Sequence, residues 1–180
     1  MSLDDGARPA ARLTVLTGPS GSGRGGVVAL VRARFPSVWL PVPATTRPRC
    51  PDEPTDARVF VSRPLFERMI RDGELVEWGE YGGHLYGTPW TPIARRLHAG
   101  RPVLLCLDAE GAAQVRARVP QTRVVRLDPQ PGAAPGSEPD TGVVLVSDLP
   151  ERAVADLVGL LGSSFLTPAQ PRVSTARDVG

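Results

Sequence analysis

The sequence predicts an α/β fold in which a parallel sheet is covered by helices, and three observations predict it. An apolar run at residues 13–16 enters a glycine-rich loop and then a stretch of helical spacing, the opening of a strand–helix–strand unit. Further on, continuous apolar runs at 103–107 and 143–146 and a mostly apolar run at 124–127, broken by Arg126, alternate with helical stretches, as strands of a covered parallel sheet do. Between these blocks, residues 44–90 change to short elements, which reads as a small lobe inserted into the core.

The first strand, 13–16, is a short, mainly apolar run, and the helix at 26–34 carries Val27, Val28, Leu30 and Val31 at helical spacing before Pro36. A second strand is expected at 38–42, shortened by Pro41 and Pro43. In the lobe, a strand at 59–61, a helix at 64–71 and strands near 75–78 and 84–86 follow in turn. Thr91 and Pro92 read as the N-cap and first turn of a helix ending near Gly100. Strand 103–107, helix 111–119, strand 124–127, strand 143–146 and helix 150–161 complete the core.

With 180 residues, 41% of them hydrophobic, the chain suits one domain with a real core. We divide it into a domain over 1–162, with core segments 12–43 and 91–162 around the lobe 44–90, and a disordered tail at 163–180. Residues 128–142, rich in proline and glycine, are expected to form a flexible linker. The net charge of +2 and the scattered basic residues argue against a nucleic-acid partner. No segment is apolar for long enough to span a bilayer and no secretory signal is visible, so a cytoplasmic protein is expected. Cys50 and Cys106 form neither a disulfide framework nor a metal-ligand cluster, and both read as ordinary thiols.

Gly18, Ser20, Gly21, Ser22, Gly23, Arg24 and Gly25 have P-loop spacing, with a strand before and a helix after. Glycines there let successive backbone N–H groups face an anion, and the helix N-terminus adds partial positive charge. Such loops ordinarily end in lysine and then serine or threonine, the first on phosphate and the second on Mg²⁺. Arg24 and Gly25 stand at those positions, so Arg24 is the candidate catalytic cation and no protein metal ligand is read there. All 21 basic residues are arginine, so the exchange is partly a matter of composition.

Over residues 13–161 the chain resembles guanylate kinases, most specifically in the lobe. Thr45, Thr46, Arg47, Arg49 and Glu53 are similar to that family's arginine segment, and the resemblance implies that Arg47 and Arg49 hold the phosphate of GMP. The family's second arginine would fall on Cys50, one place after Arg49. Glu77, Trp78, Tyr81, Gly83, Tyr86, Gly87 and Thr88 resemble its base-binding strand and hairpin. The resemblance implies that Glu77 and Thr88 hydrogen-bond guanine, that Tyr86 reaches the GMP phosphate, and that Asp108 assists base recognition. The chemistry agrees independently, because guanine offers N1–H and an exocyclic amine on one edge and a carboxylate is a natural acceptor for both.

The fold so implied is that of a P-loop nucleoside monophosphate kinase, a parallel sheet flanked by helices with an inserted GMP-binding lobe and a truncated or absent lid. The resemblance also implies ATP and Mg²⁺, and the departures weaken the hold on both. Cys106 replaces a carboxylate expected beside the phosphates, Val59 replaces a phosphate-binding tyrosine, and no basic residue occurs from Leu127 to Glu151, where the family carries lid arginines. Lost contacts of that kind lower phosphoryl transfer by about 10³- to 10⁵-fold. The expectation is therefore a GMP-binding protein with weak or lost transfer from ATP. One alternative is a pseudokinase that senses a nucleotide or takes a phosphorylated or acidic protein partner in the same pocket. Another is a P-loop enzyme with a different acceptor, since Val59, Cys106 and His84 alter the pocket wall.

Overall fold

The computed structural model describes residues 13–128, 143–146 and 150–161. Its core sheet contains β1 (Leu13–Thr17), β6 (Val103–Cys106), β7 (Arg123–Asp128) and β8 (Val143–Val146), all parallel, in the order β6-β1-β7-β8. Alternation with period two sends side chains to both faces, and both are covered. On one face Leu16, Leu104, Val125 and Leu127 pack with Val27 and Val31 of helix α1 (Arg24–Arg34) and with Val154 and Leu157 of α5 (Pro150–Leu161). On the other, Leu13, Val15, Val103 and Leu105 meet Ile93 of α3 (Trp90–His98) and Ala112 and Val115 of α4 (Ala109–Arg118). The apolar runs of the sequence thus become the middle of a three-layer sandwich.

The inserted lobe is a second sheet of order β3-β2-β5-β4, formed by β2 (Ala44–Thr45), β3 (Val59–Phe60), β4 (Leu75–Tyr81) and β5 (His84–Pro89). Helix α2 (Arg63–Arg71) covers it, seating Phe66 with Ala44, Leu75 and Leu85 in a small core of its own. Two side chains of α4 tie the lobe to the main body. Gln114 accepts from the Trp78 N–H at 3.0 Å and donates to the Trp78 carbonyl at 2.8 Å, while Arg118 donates to the Gly73 and Leu75 carbonyls at 2.9 and 3.0 Å.

Three expectations need correction. The strand predicted at 38–42 is reduced to a single bridge between Trp39 and Val103, with Leu104 N–H donating to the Trp39 carbonyl. Pro41 and Pro43 have no N–H to extend that ladder. Helix α3 begins at Trp90 with Pro89 as its cap residue, so Thr91 lies inside the first turn rather than capping it. Asp128, placed in the linker by composition, is the last residue of β7 and is buried. The rest of that linker, 129–142, and the tail at 163–180 lie outside the described residues. Among the described residues no helix is long and apolar enough to cross a membrane.

The glycine loop is held against the sheet at its first residue. Gly18 has φ 154°, and a Cβ built there would lie 2.4 Å from the Leu127 carbonyl oxygen of β7. Gly18→Ala is therefore expected to destabilise the protein by about 1–3 kcal/mol, the usual cost of a forced conformation or an overpacked contact. Urea unfolding monitored by circular dichroism checks this, and an unchanged midpoint would refute the close approach.

Candidate functional site

Strand β1 ends at Thr17, and the chain turns through Gly18, Gly21 and Gly23, all with positive φ, before α1 begins at Arg24. The loop borders a cavity of about 480 Å³ with Cys106, Leu107 and Asp108 on its far side. Ser22 lines the same cavity, is 6% exposed, and among the described residues has no hydrogen-bond partner for its hydroxyl. Arg24 extends across the space and donates to the Leu107 carbonyl at 2.6 Å, so the candidate catalytic cation bridges the glycine loop and the end of β6. Gly25 is exposed and has open space around its Cβ position. Ser20 belongs to the exposed outer turn of the loop.

Mg²⁺ takes oxygen ligands in near-octahedral geometry, and the side-chain oxygens that line this cavity belong to Ser22 and Asp108. Gly25 carries no hydroxyl, and Cys106 offers sulfur. Its thiol pKa is pushed up by burial, with the Arg24 charge acting in the opposite sense. Among the described residues no three His, Cys, Asp or Glu side chains gather into a metal site.

The second half of the cleft lies between the lobe and the core. Strands β4 and β5 pair Glu77 with Thr88, and the buried Thr88 hydroxyl donates to Glu77 Oε1 at 2.5 Å. This bond orients the carboxylate and leaves Oε2 facing α4. The N-cap of α4 is Asp108, whose Oδ1 accepts from the Gly111 N–H at 2.8 Å. Gly111 keeps the corner open, because a Cβ there would sit 3.4 Å from Asp108 Oδ1 and 3.5 Å from Glu77 Oε2. Burial raises the Glu77 pKa; the Thr88 hydrogen bond works against that shift and the Asp108 charge adds to it.

Glu77, Tyr86, Cys106 and Leu107 are common to two adjoining cavities of about 300 and 480 Å³. The larger reaches Trp78, Tyr81, Asp108 and Gly111, and the smaller reaches Thr88, Arg32 and Arg58. The expected set Glu77, Tyr86, Thr88 and Asp108 is thus brought to one cleft. Cys106 and Leu107 also line the glycine-loop cavity, so the last residues of β6 and its following turn separate the two halves.

Arg47 and Arg49 are not brought to it in the same way. Arg47 grips Glu53 with Nη2 at 2.9 and 2.8 Å and donates from Nη1 to the Pro48 carbonyl. That bond holds Glu53 below the usual carboxylate range, against the desolvation it suffers. Arg49 donates to the Glu53 backbone carbonyl at 2.7 Å from an exposed position. Both brace their own loop, and neither borders the two cavities. The cations that do border the smaller one, Arg32 and Arg58, fall outside the motifs of the sequence.

Comparison with known proteins fits this geometry. The guanylate kinase family profile matches residues 10–133. The chain is 51% identical over 124 residues to a guanylate kinase of Streptomyces coelicolor, covering 68% of this chain and 62% of the relative. It is 50% identical over 119 residues to one of Thermobifida fusca, covering 66% and 61%. The match therefore spans about three fifths of the length of these relatives. A crystal structure of guanylate kinase from Anaplasma phagocytophilum superposes with a TM-score of 0.67 over 88% of each chain at 21% identity, a likeness of fold.

Proposed function

The chain belongs to the guanylate kinase family, and on that premise we propose that it binds GMP in the cleft between lobe and core, with phosphoryl transfer from ATP slow or lost. The observation that carries this reading is the contrast between the two halves of one cleft. On the acceptor side, Glu77 is oriented by Thr88 with a free oxygen facing Asp108 and Gly111, an arrangement suited to the two donors on guanine's edge. On the donor side, Arg24 is committed to the Leu107 carbonyl and Gly25 carries no hydroxyl.

Each residue has a definite part in this proposal. Glu77 accepts from guanine N1–H and the exocyclic amine, Thr88 fixes its rotamer, and Asp108 presents a second acceptor from the α4 cap. Tyr86 extends along the cleft from the base end towards the smaller cavity. The loop N–H groups and the unpartnered Ser22 hydroxyl suit a phosphate of the donor nucleotide. In relatives of this family ATP and Mg²⁺ supply the transferring phosphoryl group and its charge neutralisation; the residues here offer little to hold either in place. Transfer at least about 10³-fold below the 1–100 per second typical of kinases is expected.

The test combines two measurements. Calorimetry with GMP is expected to show saturable binding, while coupled ADP release with GMP and Mg-ATP stays at the low level given above. Because the Glu77 pKa is raised, acidification protonates its carboxylate earlier than an ordinary glutamate and removes the acceptor. Guanosine affinity should therefore fall as pH drops, with a midpoint above the usual glutamate value; guanosine is chosen because the phosphate of GMP itself titrates near pH ~6. Absent binding of GMP, GDP and GTP would refute the reading, as would turnover in the ordinary kinase range.

A further inference from the structure

We propose that Arg58 and Arg32, which line the same cavity, form a cation pair that holds the GMP phosphate in this chain. The assignment rests on the reading of the cleft as a GMP pocket, and it adds to the sequence expectation for Arg47 and Arg49. It starts from a deficit. Two positions that the family resemblance marks for phosphate contacts carry Cys50 and Val59 here, and Arg47 is held by both oxygens of Glu53. A dianionic phosphate in a partly enclosed cleft needs cations that are not already neutralised.

Arg58 meets that need. It immediately precedes β3, whose Val59 and Phe60 pair with Ala44 and Thr45, and Thr45 pairs in turn with Tyr86, so Arg58 lies two residues from the row that holds Tyr86. Its guanidinium carbon stands 5.8 Å from the centroid of the Tyr86 ring, and both side chains line the cavity of about 300 Å³ that contains Glu77 and Thr88. The hold on Arg58 is loose. Its Nε lies 3.4 Å from Glu53 Oε1, longer than a good charge-assisted hydrogen bond, and that oxygen already accepts from Arg47 at 2.9 Å. Among the described residues Glu53 is its single ionic or hydrogen-bonding partner, so both Nη groups are available to an incoming oxyanion.

Arg32 completes the pair. It projects from the last turn of α1, lines the same cavity, and makes no hydrogen bond or ion pair among the described residues. Two planar guanidinium groups lining one cavity can share three phosphate oxygens, and the Tyr86 ring 5.8 Å from Arg58 supports its guanidinium. Glu77 lines the same cavity, so an acceptor for the base and cations for the phosphate of one nucleotide border a single space.

The experiment is paired calorimetry with GMP and guanosine on the full chain, comparing wild type with Arg58→Ala, Arg32→Ala, the double variant and Arg58→Lys. Each alanine variant is expected to weaken GMP binding about 10- to 100-fold while guanosine affinity stays at the wild-type value. Arg58→Lys should recover part of the loss, and thermal melting verifies that each variant is folded. Wild-type GMP binding that is unaffected in both single variants and the double variant overturns this assignment and leaves the proposed function standing. A wild type that binds no guanine nucleotide overturns both.

Discussion

Glu77→Ala is expected to lower GMP affinity by about 10²- to 10⁴-fold, the loss of two hydrogen bonds to a charged acceptor at about 1.5–3 kcal/mol each. The carboxylate is partly buried and fixed by the Thr88 hydroxyl at 2.5 Å, so its removal leaves guanine donors facing a vacated corner and a buried hydroxyl without its acceptor. Selectivity should disappear with affinity. AMP presents an acceptor where guanine presents N1–H, and the wild type should reject it; in Glu77→Ala the ratio between the two nucleotides should approach one. Calorimetry with both ligands measures this, and retained preference for GMP in the variant would place base recognition elsewhere.

The second large effect is a gain. Arg24→Lys combined with Gly25→Thr restores the residue types that the phosphate loop ordinarily carries, and both changes are sterically open. A Cβ at Gly25 meets nothing within 4 Å, and a shorter lysine is released from the Leu107 carbonyl that now engages the guanidinium. Mg-ATP affinity should rise by about 10²- to 10⁴-fold, since an ammonium on the phosphates and a hydroxyl on the metal are each worth about 1.5–3 kcal/mol. Turnover should remain far below that of an ordinary kinase, because no basic residue lies between Leu127 and Glu151 to stabilise the transferring group. Fluorescence titration with a labelled ATP analogue and the coupled ADP assay separate the two effects. Unchanged ATP affinity would show that the loop itself, rather than these two side chains, limits donor binding.

The elements that the sequence disclosed well are those whose residues answer to a single local rule. Residues 103–106 are apolar throughout, and residues 13–16 are so apart from Thr14, because both faces of the sheet are covered, and a run of that kind has few other uses. The hairpin that carries Glu77 and Thr88 was legible, and its register pairs the two directly. Positions decided by competition between partners were not. Arg47 satisfies the family pattern, yet Glu53 lies six residues away in the same loop and captures it. Arg58 follows no motif, and its proposed part depends on its place beside Tyr86, a contact between distant segments that spacing cannot reveal. The clue in the sequence was indirect: Val59, next to it, lacks the polar group expected there. The strand expected at 38–42 failed for a related reason, since the prolines that marked its end also removed the donors it needed.

The amide of Gln114 has a consequence for how this molecule keeps company with its own copies. Strand β4 is the outermost of the lobe, and a bare sheet margin invites another chain to add itself there. By filling both main-chain sites of Trp78, the glutamine imitates a neighbouring strand for one residue and closes the margin beside an exposed tryptophan. A chain stripped of that amide would present an aromatic, unpaired border, the kind of surface on which ordered aggregation begins.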